Sequence, residues 1–508
     1  MYSSTRTARI AGTLLAVCAI PVSAFSQDTA NSRTPVQGKV TIEKAQAANS
    51  TLPAIRYGEI VAVQNSAKYP GQSYALFVPS TYDPDKRWPT VYVFDPGARG
   101  SIPLETMKSA AEQYGYILAG SNNSHNGPWK VQTEAAQAMW NDTHQWLTID
   151  DHRIYFAGLS GGARAAALLA QRCNCAQGIF LNGAGYSTEA APRRKDTFAV
   201  FAAVGYADFN YGEMVILDAA LDGLGKPHFL RRFEGSHQWA PPEVWEEAFA
   251  WMELFAMKNH FRSADDSLVA REYSKAIKRA QDLEHAGPVH WALEDYRGVS
   301  SLFQGLTDTK VVNERSAALE KSEAVAEAKE TEEREMDEQR RLAADVVQKA
   351  ELVRNPNATV IIRGENLISM SELRSSAKSA VTQLRRRVEK EERPEKRRAL
   401  ERARSSVLAY LMETGQSALE QNDHRLAQTF FELAIEAQPD QWWPNVLLAR
   451  SLAKADNTER AIETLAHARE LGLSAQKLLD MSKTIPEFSS LSDDASFKKL
   501  ITDESPGH

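Results

Sequence analysis

Only three of the 508 residues are cysteine, and one of them, Cys18, lies in an N-terminal apolar stretch. The other two, Cys173 and Cys175, cannot build a disulfide framework, and a chain this long does not need one. A bridge between cysteines one residue apart is conceivable but strained, so it is not the expected state. No His/Cys cluster stands near them to suggest a metal, and no motif calls for a cofactor. Charge of one sign is lacking too. The 59 Lys and Arg stand against 66 Asp and Glu, a net −7 that argues against bulk nucleic-acid binding. Long apolar runs are missing: Ile10–Ile20 is too short to span a bilayer, and no later segment is apolar enough, so no transmembrane segment is expected.

That short stretch follows Arg6 and Arg9 and precedes Val22-Ser23-Ala24. The order is that of a secretory signal peptide over 1–24, cleaved after Ala24 or near Gln27, and it implies a secreted or periplasmic protein. Leu15-Ala16-Val17-Cys18 makes a poor lipoprotein box because Val17 is too large. Residues 25–50 read as a disordered linker.

The chain's chemistry gathers at Arg153-Ile154-Tyr155-Phe156-Ala157-Gly158-Leu159-Ser160-Gly161-Gly162-Ala163. An apolar strand runs into Gly-x-Ser-x-Gly and then an Ala-rich helix, Ala163–Arg172. Such a turn exposes the serine hydroxyl among small neighbours. The helix N-terminus favours the negative charge that develops in acyl transfer. A Gly-rich turn that merely allows close packing is the plainer alternative.

Around Ser160 eight strand-like runs can be read: Glu59–Gln64, Ser73–Ser80, Thr90–Gly97, Tyr116–Asn123, Arg153–Ser160, Gly178–Gly185, Phe198–Asp208 and Pro227–Gly235. Helical patterns separate the later ones, at Ile102–Tyr114, Lys130–Leu147, Ala163–Arg172, Tyr211–Leu224 and Pro241–Lys258. Short apolar strands alternating with helices predict a mostly parallel sheet buried on both faces. Over residues 51–260 the chain resembles the α/β-hydrolase fold, and the fold class expected is an eight-stranded α/β sheet followed by an all-α region. In that family the nucleophile follows strand five, the acid strand seven and the histidine strand eight. The resemblance then implies Ser160 as nucleophile, Asp208 as acid and His237 as base. Glu213 or Asp218 would supply the acid if the seventh strand ended elsewhere, and Asp208 could instead cap the Tyr211–Leu224 helix.

The oxyanion hole of this fold pairs the backbone N–H after the nucleophile, at Gly161, with one from the loop after strand three. That loop is Asp95-Pro96-Gly97-Ala98-Arg99, where many relatives carry His-Gly. Pro96 has no N–H, which leaves Gly97 or Ala98, with Ala98 preferred. Arg99 is a candidate for a substrate carboxylate. Trp129, Trp140 and Trp239 are candidates for an acyl pocket, or simply core.

Closer resemblance is to secreted esterases of the polyhydroxybutyrate-depolymerase and feruloyl-esterase type. It rests on Tyr74-Ala75-Leu76-Phe77-Val78-Pro79, Asp83-Pro84, Trp88-Pro89, Ile149-Asp150-Asp151-His152-Arg153-Ile154-Tyr155 and His237-Gln238-Trp239-Ala240-Pro241. It implies hydrolysis of a small or polymeric ester through an acyl-enzyme, without cofactor or metal. A serine peptidase and a non-catalytic scaffold are the alternatives.

Past residue 260 strand-like runs nearly vanish. A charged helical region is expected over 261–400. Within it, the Glu/Lys-rich stretch Asn313–Leu352 thins out in apolar residues between Ala328 and Leu342, so a sustained heptad fails and a solvated helix is expected, ending at Asn355-Pro356-Asn357. In 401–485, Ala427, Phe431 and Ala434 recur 34 residues later as Ala461, Leu465 and Ala468, with Gly415 and Pro439 at two further marker positions. This resembles the tetratricopeptide repeat, which implies either a docking groove for a protein partner or a structural cap. Residues 486–508 read as a tail. On this division, residues 28–262 should fold alone and hydrolyse a small ester.

Overall fold

All eight expected strands form. They are β1 (Ile60–Asn65), β2 (Ser73–Phe77), β3 (Trp88–Phe94), β4 (Ile117–Ser121), β5 (Ile149–Leu159), β6 (Ala176–Asn182), β7 (Ala199–Gly205) and β8 (His228–Phe233). One sheet orders them β1-β2-β4-β3-β5-β6-β7-β8. The β1–β2 and β2–β4 pairs are antiparallel, and every pair from β4 to β8 is parallel. The structure, a computed structural model, describes residues 55–354 and 369–502. The signal peptide, the linker and Asn355-Pro356-Asn357 lie outside these residues.

Strands β3, β4 and β7 are buried along their whole length because helices cover both faces of the sheet. These are α1 (Ser101–Tyr114), α2 (Trp129–Trp146), α3 (Gly161–Cys173), α4 (Tyr211–Leu224) and α5 (Pro242–Lys258). Helix α1 packs on α5, and α3 packs on β5 and β6. At the end of α3 the structure departs from expectation, since Cys173 and Cys175 are disulfide-bonded. Asn174 between them takes a left-handed conformation, φ 53° and ψ 28°, which closes the short loop.

The core does not stop at residue 260. Helices α6 (Asp266–Ala286), α7 (Val289–Phe303) and α8 (Lys310–Glu320) share one continuous apolar cluster with the sheet. In it Leu293, Tyr296 and Phe303 join Phe201, Phe229 and Trp251. Truncation after Arg262 would therefore uncover apolar surface and remove the Glu294 partner of buried Arg232. The expectation that residues 28–262 fold alone therefore meets a core that this segment shares with α6, α7 and α8. No described helix is long and apolar enough to cross a membrane.

A second core fills the C-terminal part. It is built by α9 (Glu323–Arg354), α10 (Met370–Lys390), α11 (Pro394–Glu420), α12 (His424–Ala437), α13 (Trp442–Lys454), α14 (Thr458–Glu470) and α15 (Ala475–Thr484). Ala427, Phe431, Ala434, Ala461, Leu465 and Ala468 are all fully buried in it. Gly415 is the close approach of α11 to α12: a Cβ there would stand 2.6 Å from the Phe431 ring. The expected tail is structured up to Thr502. A 3₁₀ turn, Pro486–Leu491, and α16 (Ala495–Thr502) bury Phe488, Leu491 and Phe497 against the repeats.

Helix α9 is not solvated all round. Its buried residues include Val325, Glu332, Met336, Gln339, Ala343, Val346, Ala350 and Val353, spaced by sevens, fours and threes. Two of those positions are polar because they meet polar groups of the sheet domain. Glu332 Oε1 accepts from Tyr211 Oη at 2.5 Å and from Trp291 Nε1 at 3.0 Å. His290 Nε2 lies 3.3 Å from Glu332 Oε2. Burial alone would raise the Glu332 carboxyl, but the His290 contact, Arg232 and the Tyr211 hydroxyl outweigh it and hold it at about 2, below the usual 4.5. Gln339 Nε2 donates to the Phe209 carbonyl at 3.1 Å, and its Oε1 accepts from Arg402 Nε at 3.0 Å.

A depressed carboxylate stabilises the fold fully above its unfolded pKa, and that contribution is lost as pH falls through the folded value. Glu332→Gln should therefore destabilise the protein by about 3 kcal/mol near neutral pH, the cost of breaking a buried pair. The gap to the parent protein should close between pH 4.5 and about 2. Urea unfolding at several pH values measures it, and a gap that persists at the acid limit would refute the assignment.

Candidate active site

Ser160 sits between the end of β5 and the first residue of α3 with φ 55° and ψ −121°, a conformation that non-glycine residues rarely adopt. Two glycines make the turn possible. A Cβ on Gly158 would lie 2.1 Å from the Gly162 backbone, and one on Gly162 would lie 1.9 Å from the Phe94 carbonyl oxygen. The strand, the turn and the helix start therefore press together with no room for side chains. The turn points the α3 N-terminus at Ser160, where unpaired N–H groups favour negative charge.

The loops after β7 and β8 bring the other two residues together. His237 Nδ1 lies 2.9 Å from Asp208 Oδ1 and 3.0 Å from Oδ2. Asp208 is fully buried and accepts a further bond from the Asn210 N–H at 2.8 Å. The Phe209 ring packs on the imidazole at 4.2 Å between centroids. Neither alternative acid reaches His237. Glu213 is taken by Arg164 at 2.8 Å and by the Gly185 N–H at 2.8 Å, while Asp218 faces His228.

Asn182, at the end of β6, carried no signal in the sequence, yet it ties the loops together. Its carbonyl accepts from Ser160 N at 2.9 Å. Its side chain donates to the Gln238 carbonyl at 3.1 Å and accepts from Ala240 N at 2.7 Å. It is fully buried, so each of these groups depends on it. Asn210 Nδ2 adds a bond of 2.8 Å to the Gly183 carbonyl.

The loop after β3 corrects three expectations. Ala98 has φ 58°, and its N–H already donates to the Ser124 carbonyl at 2.9 Å. Gly97 N donates to Asp95 Oδ1 at 2.8 Å. Neither is a free oxyanion donor. Arg99 is not poised for a substrate carboxylate either: it grips Asp95 through Nε at 2.9 Å and Nη2 at 3.0 Å. Asp95 is fully buried and also accepts from Trp239 Nε1 at 2.8 Å, so Trp239 locks this loop to the His237 loop rather than lining a pocket. Trp140 stacks on His144, and Trp129 bonds Glu189.

Gly161 follows Ser160 as expected. Where its Cβ would stand, 1.9 Å away, lies Oδ1 of Asn126 from the loop after β4. The amide of Asn126 therefore covers the residue after the serine. Its backbone N–H is anchored to the Pro96 carbonyl at 3.1 Å.

The C-terminal helices reach this edge of the sheet. Arg398 bonds Glu234, and Arg402 Nη1 bonds the Tyr206 carbonyl at 3.1 Å, so α11 spans the loops that carry Asp208 and His237. Glu413 lies three helical turns beyond Arg402 on the same face. It is exposed at the surface, and partial desolvation by the protein around it pushes its carboxyl pKa up, while the charges of Arg164 and His237 oppose this.

No family model and no curated protein matches the chain. Solved structures do match part of it. S-formylglutathione hydrolase from Staphylococcus aureus is 12% identical, covering 40% of this chain and 99% of its own, with a TM-score of 0.33. Esterase 2 from Thermogutta terrifontis is 13% identical over 43% of this chain and 100% of its own, TM-score 0.33. The feruloyl esterase module from Clostridium thermocellum is 15% identical over 38% and 85%, TM-score 0.31. At such scores the likeness carries no argument, and the fold class rests on the strand order itself.

Removing the Asn182 side chain tests the tie between loops. Asn182→Leu orphans the Gln238 carbonyl and the Ala240 N–H, each at about 1–3 kcal/mol. A loss of about 2–4 kcal/mol in urea unfolding is expected; a change near zero would mean that the loops hold themselves.

Proposed function

We propose that the protein is a serine hydrolase that cleaves carboxylic esters through an acyl-enzyme. The observation that carries this reading is the His237–Asp208 hydrogen bond facing the same sheet edge as a serine in a left-handed strand-to-helix turn. Asp208 holds Nδ1 protonated, which leaves Nε2 as the basic nitrogen. Ser160 Oγ attacks the ester carbonyl and forms the acyl bond while His237 takes its proton. That proton passes to the departing alcohol, and water, activated by the same imidazole, releases the acid.

The Gly161 N–H at the start of α3 supplies one oxyanion donor. Asn126, whose amide stands against Gly161, replaces Ala98 as the second. The two amide ends are interchangeable in assignment, so its NH₂ can be turned toward the reacting carbonyl. Secretion or periplasmic location follows from the N-terminal signal pattern. The paired helices from α11 to α14 form a tetratricopeptide-like module, which docks a protein partner or caps the second core. An ester substrate is favoured over a peptide because Glu213, in the first turn of α4, is neutralised by Arg164 and is not free to bind a peptide amino terminus.

Ser160→Ala should abolish hydrolysis of a short-chain p-nitrophenyl ester, a loss of about 10⁶ in kcat, with circular dichroism unchanged. Asp208→Asn should cost about 10⁴ in kcat. Peptide anilides should not be turned over. Ester turnover that survives Ser160→Ala would remove the proposal.

Asn126→Ala should lower kcat by about 10²–10³ with little change in KM, since the oxyanion exists only in the transition state. An unchanged kcat would exclude Asn126 as a donor and leave the Ser160 chemistry untouched.

A further inference from the structure

Away from the serine, at the opposite end of β8, three metal-ligand types converge. Asp218 and Asp222 are one turn apart on α4 and share a face. His228 opens β8 beside them. Its Nε2 lies 3.2 Å from Asp218 Oδ1 and 3.7 Å from Asp222 Oδ1. The ligand atoms of all three lie within 4.8 Å of one another.

The chemistry of the histidine makes this more than a charged cluster. Nδ1 of His228 lies 2.8 Å from the Lys226 carbonyl, which can only accept, so Nδ1 carries the ring proton. Nε2 is thereby left to face the two carboxylate oxygens, and in the neutral ring it offers them a lone pair. Three such acceptors facing one another repel unless a metal cation stands between them or Nε2 is itself protonated. A backbone carbonyl on the far nitrogen is also how metal-bound histidines are usually oriented.

The spacing suits a small tetrahedral ion. Ligands about 2.0–2.1 Å from zinc at the tetrahedral angle are about 3.3 Å apart, and the two measured separations bracket that value. A cavity of about 390 Å³, lined by the same three residues with Glu294, Arg297 and Trp251, leaves room for water as a fourth ligand. One nitrogen and two carboxylate oxygens favour zinc over calcium or magnesium, which take oxygen alone.

We propose that Asp218, Asp222 and His228 form a zinc site that clamps the C-terminal half of α4 to the start of β8. The site is structural. It joins the helix that follows the Asp208 loop to the strand that leads into the His237 loop, and it lies apart from Ser160. The competing occupant is a proton. Burial disfavours the charged ring, but the Asp218 and Asp222 carboxylates and the Lys226 carbonyl outweigh it and raise the imidazole's pKa, and a protonated His228 satisfies both acids without a metal.

Calorimetric titration of the chelator-treated full-length protein with zinc chloride, paired with thermal unfolding, decides between them. The expected result is one equivalent bound at micromolar affinity or tighter, with a raised Tm. Asp222→Asn changes a group at the surface and should not disturb folding; His228→Gln keeps the side chain polar. Each should weaken zinc binding by at least the about 10–100-fold that loss of an outer-shell partner costs, and remove the Tm response. The remaining histidines make background binding possible, so zinc affinity unchanged in both variants overturns the proposal. So does an absence of binding by the parent protein, or binding of calcium in preference to zinc. None of these readouts depends on ester hydrolysis.

Discussion

The hydrogen bond between His237 and Asp208 requires two separate loops to end at the same height above the sheet. Neither loop can arrange this by itself, since each is only a few residues long and starts from its own strand. The height is set by Asn182, whose side chain fixes the backbone at Gln238 and Ala240 while its carbonyl holds the Ser160 N–H. Asp95 does the same from the other side through Trp239. Both residues are fully buried, and buried polar groups must be paired to be tolerated. Their partners are therefore obligatory, and the obligation is what fixes the loops.

The same logic extends to the C-terminal helices. Arg232 is buried between Tyr211 and Glu294, at 3.0 and 2.7 Å, and Glu332 of α9 meets the same tyrosine hydroxyl. Arg402 of α11 stacks over the Tyr211 ring at 4.6 Å and bonds the Tyr206 backbone. Buried ion pairs contribute little net stability, because desolvation offsets their attraction. Sliding α9 or α11 by one turn, however, would leave several of these charges unpaired at once. The network thus sets where the helices lie, and it places them against Tyr211, three residues after Asp208.

Much of the site was legible because its chemistry is local. Gly158-Leu159-Ser160-Gly161-Gly162 carries its geometry in its composition: only glycine fits where β5, α3 and Phe94 close on one another. Tyr211–Leu224 was read with its exact bounds because Asn210 and Gly225 punctuate it. Ala98 was misread because its N–H is consumed by the Ser124 carbonyl, 26 residues on, and no short motif shows where a backbone donor will point. Asn126 and Asn182 went unseen for the same reason. An isolated asparagine near a strand end has no pattern of its own.

Helix α9 marks the division most sharply. Its apolar residues thin out to Met336 alone between Ala328 and Leu342, and periodicity alone made it solvated. Glu332 and Gln339 are nonetheless buried, because the surface they cover presents a tyrosine hydroxyl, an indole N–H and a backbone carbonyl instead of hydrocarbon. Sequence determined the strand and helix succession, the serine turn and the order of Ser160, Asp208 and His237, since each follows from residues a few positions apart. Tertiary structure alone decided which donors remain free and how far the core extends past residue 260. It also decided which charges are buried, because a polar group's burial depends on the partner that distant chain brings to it.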